Sequence, residues 1–148
     1  MFEEINKFKT LFLEDVKEED GHNLVLNFCI GSVSEAAEKL ILDGVTMKDV
    51  RIITKDERVR FEVVFPSYVA FDIMNESFSI PNDYDEFTGS KAREYTKSHY
   101  LEYIQNKTTA SANWMRQLKH FGFCCEWQII DVISKDKPEV RIFDTREK

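Results

Sequence analysis

Apolar and polar residues alternate along much of the chain, and this period of two predicts β-strands. The pattern is clearest at 23–30 and 58–65, where we expect the buried faces to carry Leu24, Leu26, Phe28 and Ile30, and Val59, Phe61, Val63 and Phe65. With the weaker matches, the predicted strands are residues 23–30, 50–54, 58–65, 68–74, 92–96, 117–125, 127–134 and 139–143.

Two other segments have helical spacing. Ser98 is a residue type that caps helix N-termini, and apolar residues at 100, 101, 103 and 104 follow it, so we predict a helix over 98–106. Near the start of the chain, Phe2, Ile5, Phe8, Leu11 and Phe12 suit either a short amphipathic helix or a docked arm. The charged residues 15–20 then predict a solvated turn.

Residues 32–44 allow two interpretations. Ser32 to Glu35 form a capping-box pattern, whereas the apolar run that precedes Asp43 and Gly44 is typical of a strand ending in a turn. We favour a short strand near 38–43. The charged residues 55–57 are few enough to join two strands as a hairpin, and the small polar residues of 107–113 predict a mobile loop.

Short connections decide how these strands pair, because a parallel pair needs a crossover of about a dozen residues or more. We therefore predict a mainly β (α+β) fold, with an antiparallel sheet or sandwich of seven or eight strands and one or two helices. The chain has 148 residues and no linker rich in Gly, Ser or Pro, so we expect a single domain over 1–148.

The charge balance changes the choice of partner. There are 27 acidic and 20 basic residues, and the net charge of −7 argues against nucleic acid and favours a basic partner. The cysteines are Cys29, Cys124 and Cys125, an odd count with one adjacent pair, which is not a disulfide framework. We therefore expect a reducing, cytoplasmic location. The sequence has no apolar stretch long enough to span a membrane, so we expect no contact with a membrane.

The sequence lacks the motifs by which most cofactor-binding sites are recognised. The five glycines stand singly, so no phosphate-binding loop is present. His22, His99 and His120 are isolated from one another, and adjacent cysteines on a strand point to opposite faces. We predict no cofactor and no metal.

One set of residue types could perform nucleophilic catalysis. His120, Asp131 and either Cys124 or Cys125 lie on neighbouring predicted strands, and a thiol needs such a base and acid to be activated. Asp131 is unusual because its strand is apolar on both faces, so a buried carboxylate there would need a donor such as Arg116 or an aromatic N–H or O–H group. The alternative is that the cysteines are small core residues.

The segment after the strand at 68–74 contains an acidic cluster with one aromatic residue, Asp83, Tyr84, Asp85 and Glu86. An aromatic anchor among acids would suit a basic protein partner, so we predict these four residues as a partner-binding site. The alternative is a solvated turn.

A stacking platform for a ligand could be formed by the aromatic residues Trp114, Phe121, Phe123 and Trp127. We expect most of these rings in the core.

Several motifs follow one another between residues 60 and 142. They are Phe65-Pro66-Ser67-Tyr68, Asn75-Glu76-Ser77-Phe78, Ser98-His99-Tyr100-Leu101, Lys119-His120-Phe121 and Ile129-Ile130-Asp131-Val132-Ile133-Ser134. The series resembles a group of small, uncharacterised cytoplasmic proteins of Bacillus-like bacteria. The resemblance implies association with toxin systems, as immunity proteins or interaction partners, and no established activity.

The sequence thus leaves functions of different classes. One is a non-enzymatic protein-binding domain, such as an immunity protein that neutralises a basic toxin. The other is a small hydrolase or ligand-binding enzyme that uses His120, Asp131 and a cysteine. Convergence of these side chains in an open pocket would favour the second, and an exposed acidic and aromatic patch the first. A homodimer that pairs its edge strands is a third reading.

Overall fold

The computed structural model describes residues 1–33, 38–50, 52–109 and 117–147. Within these ranges the chain forms eleven strands and one α-helix, so the predicted mainly β, antiparallel class is confirmed. The strands outnumber the predicted seven or eight because some are short or lie in segments that do not alternate. Part of the predicted loop at 107–113 lies outside the described residues, as do Trp114 and Arg116.

A four-stranded antiparallel sheet forms one side of the fold. Its order is β1-β2-β5-β11, with β1 at Leu11–Glu19, β2 at Asn23–Val33, β5 at Ile53–Phe65 and β11 at Glu139–Asp144. Strands β3 (Glu38–Leu42) and β4 (Val45–Val50) form a separate hairpin. The strand predicted near 38–43 is therefore confirmed, and its turn has positive φ at Asp43 and Gly44.

A five-stranded antiparallel sheet forms the other side. Its order is β6-β10-β9-β8-β7, and the helix α1 (His99–Lys107) follows β8 directly. The strands are β6 at Tyr68–Asn75, β7 at Glu86–Thr88, β8 at Ala92–Lys97, β9 at Lys119–Cys124 and β10 at Gln128–Ser134.

The main core lies between the two sheets and is rich in phenylalanine. Phe28 of β2 stacks on Phe123 of β9 with ring centroids 5.1 Å apart, and Phe65 of β5 contacts both Phe121 and Phe123. The eight apolar residues predicted to share buried faces at 23–30 and 58–65 are all buried. A second, smaller cluster joins Ile104 of α1 to Ile133 of β10.

The N-terminal prediction is partly wrong. A 3-10 turn at Ile5–Lys7 takes the place of the predicted short amphipathic helix, and Phe2 and Ile5 are buried in the main core. Strand β1 replaces the predicted turn at 15–20. Pairing with β2 satisfies the backbone of β1 while its charged side chains stay in solvent, so the charge run is compatible with a strand. The turn is Asp20 and Gly21, both with positive φ.

The hairpin predicted around residues 55–57 is also wrong, because β5 is one continuous strand. Cys29 pairs with Arg60 whereas Ile30 pairs with Asp56, so residues 57–59 have no partner in β2 and form a bulge in β5. The Asp56 carboxylate accepts hydrogen bonds from the backbone and the guanidinium of Arg58, which stabilises this bulge locally.

Candidate functional site

The two faces of the five-stranded sheet have different roles. Phe121 and Phe123 point into the main core, so alternation along β9 places His120, Gly122 and Cys124 on the opposite, outer face. Asp131 pairs with Gly122 and therefore lies on this outer face as well. Helix α1 packs over one end of the face, through Ile104 and Ile133 among others.

An open cleft occupies the rest of the outer face. It has a volume of about 560 Å³ and lies between the sheet, α1 and the connection from β6 to β7. Its polar lining on the sheet consists of Lys91, Arg93, Tyr95, His120, Cys124 and Asp131; Tyr100 contributes from α1 and Asn82 and Asp85 from the connection.

A hydrogen-bond chain runs from the start of α1 to the cleft. The Leu101 N–H donates to Ser98 Oγ at 3.0 Å, Ser98 Oγ lies 2.7 Å from His120 Nδ1, and His120 Nε2 lies 2.7 Å from Asp131 Oδ1. Because the Asp131 carboxylate accepts, Nε2 carries the proton, and Nδ1 then accepts from the Ser98 hydroxyl. Every polar atom of Ser98 and His120 thus has a partner.

Burial decides which end of this chain meets solvent. Ser98 and His120 are fully buried, whereas the Asp131 side chain is 20% exposed and lines the cleft. These hydrogen bonds therefore orient the Asp131 carboxylate at the cleft, whereas the Ser98 hydroxyl stays buried. This arrangement differs from a catalytic triad, in which the serine oxygen must reach the substrate.

Tyrosine rings enclose His120. Tyr95 stacks on the imidazole with centroids 4.0 Å apart and an interplanar angle of 10°, and Tyr100 meets it edge-on at 5.5 Å. A Cβ on Gly122 would lie 2.8 Å from Tyr95 Cε2 and 3.2 Å from Asp131 Oδ1. Glycine at this position therefore lets the ring and the carboxylate lie across β9.

Two cations line the cleft. The Arg93 guanidinium lies 4.0 Å from the centre of the Phe87 ring, and its Nε donates to the Ser90 carbonyl at 2.9 Å. Within the described ranges, neither Arg93 nor Lys91 forms an ion pair with a carboxylate. Both positive charges therefore face the cleft without a carboxylate partner in the part of the chain that the structure describes.

The predicted cysteine contribution does not form around His120. Cys124 lies four residues from His120 along β9, which is about 13 Å and beyond hydrogen-bond reach. Burial raises the pKa of the Cys124 and Cys125 thiols, and it raises the pKa of Cys29 to about 12. All three are free thiols, and Cys29 lies in the other sheet. His120 and Asp131 thus come together, and Cys124 lines the same cleft without a hydrogen bond to His120.

The acidic segment is divided between internal contacts and solvent. Tyr84 stacks on His99 at 4.1 Å and its hydroxyl bonds to the Glu102 carboxylate, which raises the pKa of Tyr84. Asp85 Oδ1 accepts from the His99 N–H at 3.0 Å, at the start of α1. Asp83 and Glu86 are exposed. Two of the four predicted partner-binding residues therefore hold the segment on α1, and two face solvent.

Sequence reasoning missed three residues of the site. Ser98 was identified as an N-cap, which it is, but its second bond to His120 depends on the placement of β9 beside α1. Arg93 and Tyr95 share one face of the predicted strand at 92–96, and that alternation was a signal that could have placed them together.

Among the described residues, no group of three or more His, Cys, Asp or Glu side chains could hold a metal ion, and no helix is long and apolar enough to cross a membrane. Comparison of the chain with protein-family models, curated proteins and solved structures gives no match. The geometry of the cleft is therefore the basis on which a function can be proposed.

Proposed function

We propose that this protein binds a small polar molecule in the cleft on the outer face of its five-stranded sheet. The observation that carries the proposal is the Asp131 carboxylate, which His120 holds at the floor of the cleft at 2.7 Å. Concave sites with an apolar lining and a few oriented polar groups are where proteins bind small ligands. The volume of about 560 Å³ lies within the usual range for such sites.

Binding without covalent chemistry fits the side chains better than hydrolysis does. The Ser98 hydroxyl is fully buried and already accepts a bond from α1, so a substrate cannot reach it. Burial raises the pKa of Cys124, which disfavours its nucleophilic thiolate form. The polar groups that remain at the surface of the cleft recognise charge.

A screen of amines, carboxylates and amino acids against the full chain tests this function. We expect ligands found by NMR chemical-shift changes to bind Asp131→Asn at least about tenfold more weakly, because the variant removes the oriented charge. The matched control is Asp83→Asn, which removes an exposed charge outside the cleft. The proposal is wrong if the screen gives no ligand, or if every ligand binds both variants alike.

A second candidate function is non-enzymatic binding of a basic protein, such as a toxin that this chain neutralises. Its support is an exposed apolar and acidic surface on the connection from β6 to β7. Phe78 is 76% exposed and Ile80 is 84% exposed, and two exposed acids follow, Asp83 on the same connection and Glu86 at the start of β7. A net charge of −7 would steer a cationic partner towards it.

The test of this second function changes charge but not fold. Asp83→Asn with Glu86→Gln leaves Tyr84 and Asp85 in place, because those two residues hold the segment on α1. We expect about tenfold weaker capture of a basic partner from a native lysate at low salt, and release of the partner at moderate salt.

The control variant is Glu19→Gln with Asp20→Asn, which removes two exposed charges at the turn between β1 and β2. Equal capture by both double variants would move the interface elsewhere. Recovery of the tagged chain with a second copy of itself would instead support the homodimer.

A further inference from the structure

We propose that the ligand of the cleft is a zwitterion of about the size of a dipeptide, whose carboxylate binds Arg93 and whose ammonium group binds Asp131. This inference rests on the proposed small-molecule function and specifies its ligand class. It follows from the position, partners and separation of charged groups around one face of the sheet.

The positive charges of Arg93 and Lys91 indicate that the ligand carries an anionic group. In a chain with 27 acids and 20 bases, Arg93 and Lys91 line the cleft without an ion-pair partner among the described residues. The Phe87 ring and the Ser90 carbonyl hold the guanidinium from two sides. A guanidinium that neighbouring groups hold in place is a usual partner of a carboxylate.

Acidic side chains on the opposite side of the cleft indicate where the ammonium group of the ligand binds. Asp131 presents its carboxylate to the cleft, and Asp72 of β6 lies directly opposite it in the β6-β10 register. Burial raises the pKa of Tyr100, and the charges of Asp72 and Asp131 add to that effect, so both carboxylates act on this end of the cleft. Asp85 also lines the cleft, and an ammonium group would neutralise part of this charge.

Arg93 and Asp131 lie on strands that are not adjacent, which leaves room for a ligand between them. Arg93 pairs with Gly122, and Gly122 pairs with Asp131, so the backbones of Arg93 and Asp131 are two strand spacings apart, about 10 Å. Arg93 and Asp131 do not form an ion pair with each other. The two side chains thus leave space between them, and a dipeptide, whose charges are several bonds apart, can contact both within a cleft of about 560 Å³. Glu76 also lines the cleft and would disfavour a purely anionic ligand.

A dipeptide and two derivatives, each of which lacks one of its two charges, test the inference. They are the dipeptide glycylleucine, its N-acetyl derivative, which lacks the ammonium group, and its C-terminal amide, which lacks the carboxylate. Titration of the full chain by NMR should show that the dipeptide binds about tenfold more tightly than either derivative, because each derivative lacks one charge-assisted interaction.

Two variants assign each charge to its residue. Arg93→Gln should remove the preference for the dipeptide over the amide but keep the preference over the acetylated form. Asp131→Asn should do the reverse, and thermal denaturation will show that both variants fold. This crossed pattern cannot arise from a general loss of structure.

Other results would overturn the inference. If a derivative binds as well as the dipeptide, or if both preferences survive in both variants, the cleft does not recognise a zwitterion in this way. Failure of all three probes would also exclude a dipeptide-sized zwitterion. The separate screen against Asp131→Asn then decides whether the cleft binds another class of molecule, so the two proposals can fail independently.

Discussion

Replacement of Phe123 by alanine is expected to lower the free energy of unfolding by about 3–5 kcal/mol, the usual range for a buried phenylalanine. Phe123 is fully buried at the centre of the main core. Its ring contacts Phe2, Phe28 and Phe65 at centroid distances of 5.5, 5.1 and 6.2 Å, so the substitution removes contacts to the N-terminal segment and to both central strands of the other sheet. Urea denaturation measures the loss.

The matched control is Phe143→Ala in β11, whose side chain is 52% exposed. We expect it to lower the free energy of unfolding by less than about 1 kcal/mol, because little apolar surface returns to water. Equal losses in the two variants would mean that the sheets do not pack through Phe123. That result would also contradict the placement of the cleft, because Phe123 and the cleft residues His120 and Cys124 all lie on β9.

Replacement of His120 by alanine is expected to lower the free energy of unfolding by about 3 kcal/mol, through a cavity and lost hydrogen bonds. The imidazole is buried between Tyr95 and Tyr100 and bonds to Ser98 and Asp131. Its loss leaves the Ser98 hydroxyl without its acceptor and releases the Asp131 carboxylate. We therefore expect ligand affinity in the cleft to fall together with stability.

His22→Ala is the control, because His22 is an exposed histidine next to the turn between β1 and β2. We expect it to change the free energy of unfolding by less than about 0.5 kcal/mol. Urea denaturation of both variants gives the comparison. If His120→Ala is as stable as His22→Ala, the hydrogen-bond chain from Ser98 to Asp131 contributes nothing to the fold, and the argument that it orients Asp131 fails.

Alternation was sufficient to predict the strands whose two faces differ. Strand β2 and the second half of β5 carry large apolar side chains at every second position, and this pattern was enough to predict that those residues are buried. The N-cap of α1 was also predictable, because Ser98 bonds to Leu101 within one turn of the chain. Local chemistry determines both features.

Pairing decided the features that the pattern could not. The charges of β1 suit a turn or a solvated strand, and the neighbouring β2 selects the strand. Residues 55–57 suit a hairpin or a continuous strand, and pairing of β5 with β2 selects the strand, with a bulge at residues 57–59. In β5 the deciding pairing joins segments that are distant in sequence, such as Asp56 and Ile30, so no local window contains the information.

The same distinction applies to the site. The sequence by itself determined that His120 and Asp131 are candidates and that residues 83–86 are acidic. The tertiary structure decided that His120 bonds to Asp131 and Ser98, and that no cysteine joins them. It also decided that Tyr84 and Asp85 hold the segment on α1. The physical reason is that residue types limit which bonds can form, whereas sheet register and helix placement decide which atoms meet.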